Sequence, residues 1–75
     1  MDAAVQGDSV NFRIEFEQEK DGRWIADIPE LPGVMAYGSS KREAESKVQA
    51  IALRVIADHL ERDQATTDHV KFAAA

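Results

Sequence analysis

Carboxylates are the side chains this sequence supplies most freely for chemistry. Glu15, Glu17, Asp27 and Glu30 fall close together in the first half of the chain. Acids in that density can hold two metal ions for phosphodiester cleavage, provided three or four of them converge within a few ångströms. Glu15 and Glu17 share a strand face, but residues 70–75 add no acid and Glu43 is committed to a helix cap. A nuclease is not expected. His59 and His69 stand ten residues apart with no carboxylate at ligand spacing, so a helix surface and a strand start account for them better than a metal does. Ser39 and Ser40 read as caps, since no His or Asp pattern marks a nucleophile. There is no phosphate-binding glycine loop. No catalytic residue, metal or cofactor is expected, and function has to lie in binding.

Composition narrows the partner. The net charge of −5 repels phosphate backbones, which argues against direct DNA or RNA binding and favours a basic protein surface. The bland alternative is that the acids keep a small protein soluble. A chain of 75 residues makes one domain and buries only about 60% of its unfolded surface, so stability is modest or shared with a partner. Without cysteine there is no disulfide framework. No apolar run approaches the roughly 18 residues of a membrane span and no signal peptide is visible, so a cytoplasmic location is expected.

The elements that must position the acids follow from periodicity. Residues 1–9 lack it and are expected to be a flexible N-terminus. Residues 10–17 alternate strictly, setting Val10, Phe12, Ile14 and Phe16 against Asn11, Arg13, Glu15 and Glu17, as in a half-buried strand. A second strand holds Trp24, Ala26 and Ile28 on one face and Ile25 and Asp27 on the other. Facing the apolar sets requires a three-residue Lys20-Asp21-Gly22 loop with Gly22 left-handed in a G1 bulge, because one residue of slip inverts the face. Pro29 and Pro32 stop the strand, and Gly33 reverses the chain into a third strand over 34–37. Ser40 and Glu43 form a capping box, the Glu43 carboxylate reaching back to the Ser40 amide. A helix follows over 41–62 with a stripe of Ala44, Val48, Ile51 and Val55, widened by Ala52, Ile56 and Leu60. A last strand is expected over 69–73, and 74–75 form a tail.

The order is β-β-β-α-β, an α+β fold. A right-handed crossover sets the last strand parallel to the first, for a spatial order of 3-2-1-4. The helix covers one sheet face. The other carries Glu15, Glu17, Ile25 and Asp27, with either Val34 and Ala36 or Met35 and Tyr37. That face is more apolar than solvent requires, so a contact surface and a homo-oligomer are expected.

The run Asp21-Gly22-Arg23-Trp24-Ile25-Ala26-Asp27-Ile28-Pro29-Glu30-Leu31-Pro32-Gly33, followed by Gly38-Ser39-Ser40-Lys41-Arg42-Glu43-Ala44, resembles the HicB-like antitoxin family. That family shares a D-G-x-[YW]-x-A-x-x-P-[DE]-L-P-G stretch and a G-x-[ST]-x-x-E-A helix start. The resemblance covers roughly residues 10 to 62. It implies a single HicB-like domain over 10–73 with a degenerate, shortened RNase H-like fold. It also implies a partner, a small basic mRNA-cleaving toxin of the HicA type, neutralised by contact. Gly22, Trp24, Pro29, Pro32, Gly33, Ser40 and Glu43 are the motif's structural positions. Glu15, Glu17, Ile25, Asp27, Glu30, Met35 and Tyr37 are the candidate contact residues. Thirteen residues follow Arg62, too few for the family's C-terminal DNA-binding domain, so no DNA binding is expected of this chain. Asp27 stands where the family commonly has an aromatic or apolar residue, making the outer face more acidic.

Overall fold

The structure, a computed structural model, describes residues 9–74. The expected flexible N-terminus over 1–9 and tail over 74–75 lie outside them, except for Ser9 and Ala74, which belong to strands. The elements are β1 (Ser9–Gln18), β2 (Trp24–Asp27), β3 (Met35–Gly38), α1 (Lys41–Asp63) and β4 (His69–Ala74). They form one mixed four-stranded sheet of order β3-β2-β1-β4 with the helix on one face. The expected order and α+β class hold.

Face matching sets the first hairpin. Phe16 pairs with Ala26 and Gln18 with Trp24. The Gly22 N–H donates to the Glu19 carbonyl at 2.9 Å, and the Glu19 N–H donates to the Arg23 carbonyl at 2.7 Å. Gly22 has φ +95°, the left-handed residue of a type I turn with a G1 bulge. Asp21 holds the turn from outside, accepting from the Arg23 N–H at 3.0 Å and from its Nε at 2.9 Å. The Arg23 backbone amide, more than its charge, keeps the Asp21 carboxyl below its ordinary range.

The proline corner is two successive turns, each with proline second. Leu31 N–H bonds the Ile28 carbonyl, and Val34 N–H bonds the Leu31 carbonyl, both at 2.9 Å. Gly33, at φ +87°, takes the third place of the second turn, which makes it type II. The Ile28 N–H then donates to Val34 at 3.1 Å, so the chain re-enters the ladder in register.

Gly38 is no simple turn glycine. It closes β3 opposite Trp24 and is buried against the start of α1. A Cβ there would lie 2.5 Å from the Ala44 nitrogen, so only glycine lets strand and helix approach this closely. The helix starts beside it. Ser40 is extended, and its Oγ accepts from the Glu43 N–H at 3.1 Å. The return half of the capping box departs from expectation. The Glu43 carboxylate reaches past Ser40 to Ser39, accepting from its N–H and its Oγ at 2.8 Å or less. Those bonds, with Lys47 at 3.3 Å, lower the Glu43 pKa to about 2. At the far end Gln64 is left-handed, its N–H bonded to Leu60.

The core is Phe12, Ile14, Ala26, Ile28, Val34 and Ala36 from the sheet side, under Ala44, Val48 and Ala52 of the helix. α1 lies over β3 and β2, leaving Val10, Val70 and Phe72 beyond it half-buried. Phe12 and Phe72 stack across β1 and β4 with centroids 6.0 Å apart. Lys41 closes the other end, its Nζ 4.7 Å from the Phe16 ring and 5.8 Å from Trp24. The helical stripe differs from expectation at Val55, which is exposed.

Candidate functional site

Strand alternation and the two turns bring the candidate residues onto one surface. Because Ala36 faces the helix, Met35 and Tyr37 face outward, which decides the alternative left open by the sequence. Two rows cross the outer face through paired positions. One runs Tyr37, Ile25, Glu17 and the other Met35, Asp27, Glu15. The face is apolar over β3 and β2 and acidic over β2 and β1. Met35 and Tyr37 keep 44% and 43% of their surface in water and stand beside half-buried Ile25, so they form a small apolar patch.

The acids are not equivalent. Glu15 is paired with Arg13, Nε to Oε2 at 3.3 Å. Glu30 sits on the proline corner, where its Oε1 accepts from the Arg13 backbone N–H at 3.4 Å and ties the corner to β1. Glu17 and Asp27 have no ion-pair partner among the described residues. Asp27 also stands directly across from Glu15, a like-charge opposition that costs stability in a two-stranded ladder. Arg23 covers the Tyr37 ring at 5.0 Å and is itself held by Asp21. The surface therefore offers an apolar strip beside negative charge that no described residue pairs with.

Other concavities are open grooves. One of about 460 Å³ lies under the C-terminal half of α1, lined mainly by Val10, Phe12, Leu31, Val55, Ile56 and Leu60. Another, of about 480 Å³, runs between β3 and the helix past Met35, Tyr37, Ile51, Lys47 and Arg54. Sequence reading did not anticipate either, because both arise from the helix crossing the sheet off-centre.

Ser9 Oγ lies 3.4 Å from His69 Nδ1, and Asp68 Oδ2 lies 3.2 Å from the same nitrogen. A Ser-His-Asp relay needs hydroxyl and carboxylate on opposite ring nitrogens, so this cluster cannot pass a proton between them. His59 pairs with Asp63 at 2.8 Å on the helix surface. Among the described residues no three His, Cys, Asp or Glu side chains are grouped to hold a metal ion. Nor among the described residues is any helix long and apolar enough to cross a membrane. Comparison with family models, with curated proteins and with solved structures gives no match.

Proposed function

We propose that this chain is a HicB-like antitoxin domain. It neutralises a small basic mRNA-cleaving toxin of the HicA type by protein–protein contact in the cytoplasm, and it performs no chemistry of its own. The fold would then be a shortened RNase H-like one that has kept its sheet and given up its metal-binding acids. One observation carries the reading. Among the described residues Glu17 and Asp27 have no ion-pair partner, Asp27 is set against Glu15, and both flank an apolar strip of half-buried Ile25 with exposed Met35 and Tyr37. A cationic surface relieves the charge, while the strip supplies the dry centre that charge pairs alone rarely provide.

Co-expression tests the reading. A short basic protein encoded beside this chain, toxic when expressed alone, should become harmless when both are made, and the two should co-purify. The Glu17→Lys, Asp27→Lys double variant should remain folded and lose protection. Full protection by that variant would move the interface off this face. A self-associating domain without a toxin is the alternative, and the uncovered edge of β3 favours it. A small-molecule module seated between copies has no comparable support.

A further inference from the structure

We propose that β3 is the pairing edge of a homodimer, in which two copies join antiparallel about a twofold axis at Ala36 to make one continuous eight-stranded sheet. The inference does not depend on whether a toxin exists. The Ile28 N–H to Val34 carbonyl bond fixes the phase of the β2–β3 ladder, so residues 34, 36 and 38 direct their polar groups at β2. Met35 and Tyr37 therefore direct theirs away from the sheet. These two N–H and two C=O groups have no partner among the described residues. A twofold axis at Ala36 sets Met35 opposite the second copy's Tyr37, and Tyr37 opposite its Met35. Both become hydrogen-bonded pairs, and all four free groups of each edge are satisfied at once. On the outer face the same register lays each Met35 sulfur beside a tyrosine ring, a favourable contact. On the inner face the axis passes between two Ala36 methyls, small enough for the close approach of a non-hydrogen-bonded pair.

Charge selects this edge over every other surface of the sheet. Exposed edges are protected by shortness, charge, proline or a bulge. β4 carries Lys71 and His69, whereas Met35–Gly38 is short, four residues, but carries no charge, proline or bulge. In a chain of net charge −5 the outer faces of β1 and β2 hold Glu15, Glu17 and Asp27, so two copies repel there. β3 is neutral. The groove beside it is bordered by Lys47 and by Arg54, which has no ion-pair partner among the described residues. Because α1 runs antiparallel to β3, the twofold brings Arg54 toward the end of the second helix that holds Glu43. Ala50, between Lys47 and Arg54, lets the helices come close.

Sedimentation and amide exchange test the inference together. At tens of micromolar the wild-type chain should sediment as two copies, and the Met35 and Tyr37 amides should be protected, increasingly so with concentration. Tyr37→Lys should halve the sedimenting mass and expose the Met35 amide while the circular dichroism spectrum is kept. A wild-type monomer with both amides unprotected overturns the proposal and leaves the edge to an extended segment of a different protein. A dimer whose Met35 and Tyr37 amides exchange freely overturns it too, and this reading needs no variant to fold.

Discussion

Gly22 and Gly38 are both required, for opposite reasons, and substitution separates them. Gly22 has a positive φ and open space where a Cβ would go. Gly22→Ala therefore meets only the backbone penalty of the left-handed region, about 1 kcal/mol. At Gly38 the backbone is ordinary but the Cβ would strike the Ala44 nitrogen. The obstacle is main chain, which cannot rotate away, so Gly38→Ala should cost more, about 2–3 kcal/mol. Urea melts of the two variants check the order. Glu43 stabilises the start of α1 only as a carboxylate. Its pKa falls to about 2 on folding, chiefly because the Ser39 N–H and hydroxyl favour the carboxylate. A depressed folded pKa gives stability that is present above the unfolded value and fades as pH falls toward 2. Wild-type melting temperature should therefore drop between pH 4.5 and 2, and Glu43→Gln should lower it at neutral pH and flatten that drop.

α1 is longer than the strands beneath it, and that mismatch divides its apolar residues into two kinds. Its 23 residues extend about 35 Å, whereas the four-residue strands β2 and β3 extend about 13 Å. Val48 lies in the overlap and is fully buried; Val55 lies near the overhang and is 41% exposed. Val48→Ala should cost about 2 kcal/mol, from two lost methyl groups and the space they leave. Val55→Ala should stay within about 0.5 kcal/mol, since little contact is lost and alanine favours the helix. Thermal melts distinguish them, and equal losses would mean the helix is seated differently. Periodicity predicted the stripe but not this division, because spacing gives the side of a helix and not how far the sheet extends under it. The first hairpin was fully legible, since matching Phe16 to Ala26 left one loop length. The helix end was not. A left-handed Gln64 has none of the glycine or asparagine signal by which such caps are recognised. Nor could spacing tell whether Glu43 returns to Ser40 or Ser39, which depends on how β3 enters the turn. The outer-face acids were all legible as strand alternations. Their inequality was not, because it rests on Arg13 reaching Glu15 and on Glu30 bonding the Arg13 backbone.

Across the whole molecule, the proposed function sets stability against partner binding at Asp27. The side chain stands across the ladder from Glu15 with no cation paired to it among the described residues, on a chain already carrying net charge −5. A domain selected for stability alone gains nothing from that arrangement; a domain that must hold a cationic protein gains an uncompensated site where the partner's charge is worth most. Asp27→Asn keeps shape and volume while removing the charge. It should raise the stability of the isolated domain by roughly 0.5 kcal/mol, the scale of a cross-strand like-charge pair. If the proposed basic partner binds this face, the same substitution should slow association with it and reduce its dependence on salt. Exposed charges are screened beyond about 8 Å at physiological ionic strength, so wild-type association should slow as salt rises, and the variant less so. Urea melts with stopped-flow association at two salt concentrations measure both halves. A variant that is more stable and binds as fast as wild type would make Asp27 a mere liability of the surface. One that is less stable would mean that Asp27 supports the sheet in the free domain.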